Sequence, residues 1–155
     1  MDQPFEEKCL GKRTITIEPS VFPIKSKEQQ ETIILQHKNN AAYFLESATS
    51  LLDTTTPLVA ILIAYFSMEH KANQLLALYG YKVESHVCTQ IGLSKIIQRK
   101  DLAKMLSDIF TLRQNIGYRM TLTQSPESKR EAEHIIKEIL IPFTKEIDKL
   151  AQETK

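Results

Sequence analysis

The sequence predicts an all-α fold: an antiparallel helical bundle of four long helices plus one short helix, preceded by an extended N-terminal arm. Three observations predict it. Four glycines and six prolines in 155 residues leave room for long uninterrupted helices. Apolar residues recur at three- and four-residue spacing along most of the chain after Lys25. The periodic stretches are separated by brief segments that carry capping residues and prolines. Residues 1–25 form the arm and residues 26–155 the bundle.

The arm is different material. "RTITIEP" alternates Thr and Ile, a weak strand signal, and Pro19 and Pro23 forbid a helix across the stretch that contains them. It reads either as an arm docked on the body or on a second subunit, or as a free tail. Ser26 with Gln29 is a capping-box pattern, so a helix should run from there to about Leu52. Ile33, Ile34, Ala41, Ala42, Phe44, Leu45, Ala48, Leu51 and Leu52 are its apolar positions. His37, Lys38 and Asn39 read as solvated. Thr56 as N-cap and Pro57 in the first turn open a second helix to Tyr79, stopped by Gly80. It is apolar almost all round in its first half, the mark of a central buried helix. Glu69, His70, Lys71, Asn73 and Gln74 make its second half read as amphipathic. A loop and a short helix, roughly Ser85 to Gln98, come next. The thin stripe of that helix is Val87, Ile91, Leu93 or Ser94, and Ile97. Asp101 caps the fourth helix, where Leu102, Met105, Leu106, Ile109, Phe110 and Leu112 form a wide apolar face and Asn115 to Tyr118 should loosen. Ser125, Pro126 and Glu127 start the last helix, which runs to about Ala151 and should kink at Pro142. Its buried side is Ala132, Ile135, Ile136, Ile139, Leu140, Phe143, Ile147 and Leu150.

Composition narrows the function classes. A 42% hydrophobic and 25% charged chain is ordinary for a globular domain. A net charge of +1 gives no global field for polyanions, so any nucleic-acid contact would use a local patch. "PLVAILIAYFSM" is too short to span a bilayer, so no membrane association is expected, and its central position does not suit a signal peptide. Cys9 and Cys88 lack metal-type spacing and read as reduced thiols of a cytoplasmic protein, with a Cys9–Cys88 disulfide as the minor alternative.

No phosphate-cradling glycine loop, GxSxG, HExxH or CxxC is present, and no metal or cofactor is expected. His37, His70, His86 and His134 lie on four different elements, so each reads as packed or solvated rather than as a ligand. His86, at the start of the short helix, could fix a turn by reaching a loop carbonyl. Tyr65, Phe66, Tyr79 and Tyr81 read as core aromatics, with "YGYK" a weak RNA-stacking pattern. Arg113 stands at the edge of the fourth helix's apolar face. A permanent cation there must find a partner or reach a cleft. Asp108 could orient it, although a solvated acid is the simpler reading.

"IAYFSMEHKANQLLALYGYKVESHVCTQIGL" followed by "LSDIFTLRQNIGYRM" resembles the HEPN superfamily of helical bundles. It looks most like the small stand-alone branch in which an "AYY" helix ends near "GY", a "SH" loop comes next and a later helix closes on "LRxxADY". The matching residues are Ala64, Tyr65 and Phe66, Gly80 and Tyr81, Ser85 and His86, and Leu112, Arg113 and Tyr118. "FEEKCL" and "AAYFLESATSLL" fit the same pattern. The resemblance implies a homodimer formed through the arginine-bearing face. It also implies a possible nucleotidyltransferase-type partner, as in toxin–antitoxin pairs, and a cleft for RNA or nucleotide. Arg113, Asn115, Arg119 and His86 would bind phosphate. Many such proteins are metal-independent ribonucleases with an arginine followed four to six residues later by histidine. Here Tyr118, Arg119 and Met120 occupy those positions. Arg113 and Tyr118 are the catalytic candidates, but a tyrosine with an ordinary pKa near 10 is a poor base at neutral pH. The resemblance therefore favours an association module. The alternatives are a ribonuclease with an altered site, using Arg113 and His86, and a purely structural scaffold.

Overall fold

The computed structural model describes residues 9–11, 20–118 and 125–154. Its elements are β1 (Val21–Pro23), α1 (Lys27–Leu51), α2 (Val59–Leu78), β2 (Tyr81–Val83), α3 (His86–Lys95), α4 (Lys100–Tyr118), α5 (Pro126–His134), a π-helical segment (Ile135–Leu140) and α6 (Ile141–Glu153). The α5, π and α6 segments run on from one another without a break. The all-α class and the long helices are as the periodicity predicts.

Most helix ends obey the local rules. The Ser26 hydroxyl accepts from the Gln29 N–H, and Gln29 reaches back to the Lys25 N–H at 3.2 Å. Ser85 caps α3 through the Cys88 N–H, and Ser125 caps α5 through the Ser128 N–H with Pro126 in the first turn. Gly80 ends α2 at φ +90°, a conformation L side chains rarely adopt. Two starts differ from expectation. Thr56 is not a side-chain cap: the carbonyls of Thr56, Pro57 and Leu58 accept from Val59, Ala60 and Ile61 at 3.0–3.1 Å, a tight entry that opens α2 at Val59. Asp101 lies inside the first turn of α4 and gives both carboxylate oxygens to Arg99.

Helix α2 is central. It packs against α1, α3, α4, the π segment, α6 and β2. Its second half is not amphipathic, as its polar residues suggested: Glu69 and His70 are half-buried and every residue from Lys71 to Ala77 is buried. Lys71 and Asn73 are buried with polar partners from neighbouring helices, and the buried Gln74 accepts from Lys71 on the same helix. Thr89 of α3 donates to Asn73 at 2.8 Å, and Asp148 of α6 meets Lys71 at 2.6 Å. Earlier on α2, the buried Ser67 donates to the Ala41 carbonyl of α1. Gln30 of α1 donates to the Ala77 and Leu78 carbonyls at the end of α2.

The inward face of α3 is rotated from the stripe read in the sequence. Cys88, Thr89, Gly92 and Leu93 are buried, while Val87 and Ile91 are half-buried. Gly92 allows this: a Cβ there would lie 3.0 Å from the Leu76 methyls. The helix ends at Lys95 rather than Gln98, which sits at φ 62°. Helix α4 does not loosen at Asn115 but continues to Tyr118. At Pro142, where a kink was expected, the helix widens instead. Six residues, Ile135–Leu140, adopt π geometry, and the Ile141 N–H bonds to the Ile136 carbonyl five residues back.

The expected strand "RTITIEP" lies wholly outside the described residues, and the segment that comes after it docks on the body. β1 pairs antiparallel with β2 in the register Val21↔Val83, Phe22↔Lys82, Pro23↔Tyr81. The cysteines are not reduced thiols. Cys9 and Cys88 form a disulfide, and both are buried. Sequence spacing gave no hint, because the β1–β2 pairing is what brings residues 79 apart together. His37 is not solvated either; it is half-buried against His70.

Candidate functional site

Helices α2 and α4 each supply a ring and a polar group one turn apart. On α2 these are Tyr65 and Glu69; on α4 they are Phe110 and Arg113. Tyr65 is fully buried, and its ring lies 5.5 Å from that of Phe110. Phe66 flanks Tyr65 at 5.8 Å. The Arg113 guanidinium rests on this surface, with Cζ 5.1 Å from the Tyr65 centroid, 5.2 Å from Phe66 and 5.9 Å from Phe110. Among the described residues no carboxylate pairs with Arg113 and no acceptor takes its N–H groups. Asp108, the acid that could have oriented it, pairs with Lys104 instead at 2.6 Å.

The first residue of α3 completes the group. His86 stands 5.8 Å, ring to ring, from both Tyr65 and Phe110. It therefore shares two of the rings that carry Arg113. His86 Nδ1 lies 3.1 Å from the Tyr65 hydroxyl and makes a short contact with the Glu69 carboxylate. A carboxylate can only accept, so the proton of this contact is assigned to Nδ1; in the neutral imidazole the lone pair is then on Nε2. Nε2 has no partner among the described residues, and the His86 side chain is 47% exposed while that of Glu69 is 12% exposed. His86 thus reaches side chains rather than the loop carbonyl expected of it. Burial, then the charge and hydrogen bond of Glu69, hold the Tyr65 phenol well above its ordinary range, with Arg113 opposing. Tyr65 is a neutral hydrogen-bonding group here.

The structure thus brings Arg113 and His86 together and leaves the other candidates apart. Tyr118 is 81% exposed and lies about 140° round α4 from Arg113. Asn115 is about 160° from Arg113 by the same geometry. Arg119 lies outside the described residues. Tyr79 is exposed rather than a core ring, and Lys82 of "YGYK" is paired with Glu84. Sequence reasoning missed Glu69 and took Tyr65 only as a core ring. The available signal was an acid one turn beyond a tyrosine in the most apolar helix.

Among the described residues no three His, Cys, Asp or Glu side chains gather to hold a metal ion, and no helix is long and apolar enough to cross a membrane. The arrangement offers a guanidinium and an imidazole Nε2 without partners among the described residues, and an apolar surface beneath both. Comparison of the sequence with protein-family models finds no match, and neither does comparison with curated proteins.

Proposed function

We propose that this chain is a HEPN-like helical association module whose Arg113–His86 site holds a phosphate group of RNA or of a nucleotide. It works as a homodimer and pairs with a nucleotidyltransferase-type protein in a toxin–antitoxin arrangement. The observation that carries the binding reading is Arg113: a half-buried cation on three rings, with its donors uncommitted among the described residues. A purely structural arginine at such an edge would be expected to meet a carboxylate. In the cytoplasm, the location this reading carries, the Cys9–Cys88 bond would stand against a reducing thiol pool.

A second reading is favoured by the Glu69–His86 contact. A carboxylate that fixes the imidazole tautomer leaves Nε2 as a proton acceptor beside a phosphate-binding guanidinium. That supplies in space the histidine missing four to six residues after Arg113. In this metal-independent ribonuclease reading, Nε2 takes the 2′-hydroxyl proton, the 2′-oxygen attacks phosphorus, the bond from phosphorus to the 5′-oxygen breaks and the 5′-oxygen takes up a proton from solvent. The products are a 2′,3′-cyclic phosphate end and a 5′-hydroxyl end.

One experiment separates the readings. A mixed single-stranded RNA pool is incubated with purified protein in EDTA, beside Arg113→Ala and His86→Gln, and retention, cleavage and oligomeric mass are recorded. Salt-dependent retention lost in Arg113→Ala, without cleavage, supports the binding module. Cleavage abolished in both variants supports the ribonuclease. A folded protein that neither retains nor cuts RNA overturns both.

A further inference from the structure

The seam between α1 and α2 carries a second polar pair, outside the Arg113 site. His37 Nδ1 and His70 Nδ1 lie 2.9 Å apart. One nitrogen must donate and the other accept. A neutral or singly protonated pair satisfies this; a doubly protonated pair sets two N–H groups against each other. Burial pushes His37 down to about 4, with the charge of His70 adding to it. Burial also lowers His70, opposed by Glu69. The other charged groups near this part of α2 are engaged elsewhere. Lys71 is turned to Asp148 of α6, His86 of α3 is on Glu69, and Arg113 of α4 lies across Phe66.

The pair is joined to the Arg113 site by rings. Phe44 of α1 stacks on His70 at 5.6 Å and 13°. The same ring lies 5.5 Å from Phe66, which is beneath Arg113. We propose that the His37–His70 bond is an acid-operated latch on the α1–α2 seam: charging both rings parts the helices there and draws Phe44 away from Phe66. Phe66 then loses one side of its packing, and the surface that carries Arg113 loosens. That last consequence for RNA rests on the phosphate-binding reading above; the latch does not.

Both imidazoles sit below their unfolded value of 6.5, so the closed seam is at full strength above that pH. It weakens as pH falls from 6.5 through about 4. Discounting for partial exposure, closure should weaken about tenfold by pH 5. The test is an NMR titration of the histidine ring protons in the full chain, with amide exchange along α1, for wild type, His37→Gln and His70→Gln. The latch requires both rings to titrate below 6.5, with protection around His37 falling about tenfold by pH 5 while α5 is unchanged. Either variant should reduce that fall to about threefold or less, since one charge alone remains. Rings that titrate at or above 6.5, or variants that lose protection as wild type does, overturn the proposal. RNA retention at pH 7 and pH 5 is measured on the same samples. Absence of retention at both pH values counts against the phosphate-binding reading and leaves the ring titration to decide the latch.

Discussion

Replacing Asp148 by alanine should destabilise the protein more than replacing the buried lysine it serves. Lys71 Nζ lies 2.6 Å from Asp148 Oδ1, and the two side chains are 9% and 50% exposed. Its other partner is Gln74 Oε1 at 3.1 Å. Removing one member of a fully buried pair costs about 3–5 kcal/mol, because the other charge is left uncompensated. Asp148 is half in water, so water can replace it and reach the ammonium, which reduces the expected loss to about 1–2.5 kcal/mol. Lys71→Met removes the charge and keeps the aliphatic stem. It leaves the buried Gln74 oxygen short of one donor, a loss of about 1 kcal/mol that burial of the Met methyl in place of the ammonium partly offsets. For a domain of this size each kcal/mol shifts Tm by about 2–4 °C, so Asp148→Ala should melt about 2–10 °C lower. Urea denaturation of Asp148→Ala, Lys71→Met and the double variant measures the difference. The double variant should resemble Lys71→Met, since Asp148 without a partner simply solvates. A Lys71→Met loss equal to or larger than that of Asp148→Ala would refute the assignment of Asp148 as the compensating charge.

Three further outcomes are expected. Reduction of Cys9–Cys88 with a phosphine should lower stability by about 2–4 kcal/mol, because the bond closes a sequence separation of 79 residues; an unchanged denaturation midpoint would count against a stabilising clip. Arg99→Ala should flatten the acid limb of the stability profile below pH 4. The Arg99 guanidinium holds the Asp101 carboxyl down to about 2, so the contribution is present above the unfolded value of 3.8 and lost as pH falls through 2; identical acid limbs would refute it. Gly92→Leu should cost about 1–3 kcal/mol, because the new side chain starts 3.0 Å from the Leu76 methyls. The urea midpoint of that variant checks it.

The features legible in the sequence were local. Ser26, Ser125, Pro126 and Gly80 act through neighbours within a few residues, and each marks the helix end it was expected to mark. The face of α4 was readable because Leu102, Leu106 and Ile109 repeat at the helical period and are all buried. Contacts between distant residues were not readable. Asn73 looks like a surface residue until Thr89 arrives from α3, and Lys71 until Asp148 arrives from α6. Cys9 gains its partner through pairing of strands too short to leave a pattern. The candidate site divides in the same way. Arg113 was legible as a cation at the end of an apolar face. His86 was singled out, but its link to Glu69 depends on how α3 docks on α2.

That docking explains why the site has its position. Ser85 caps α3, so its first turn, which carries His86, is fixed from the N-terminal side. Thr89, one turn later, bonds to Asn73 of α2, and Gly92 lets the next turn close on Leu76. These anchors hold α3 along the second half of α2, one turn and more beyond Glu69. His86 is thus delivered to a carboxylate on the same helix that supplies Tyr65. Arg113 comes from α4 on the other side of the same rings. The guanidinium and the imidazole are therefore placed by two separate helix packings and joined only through Tyr65 and Phe110. Substitution of either ring should displace both groups together, whereas a change at Asn115 or Tyr118, on other faces of α4, should leave the pair where it is.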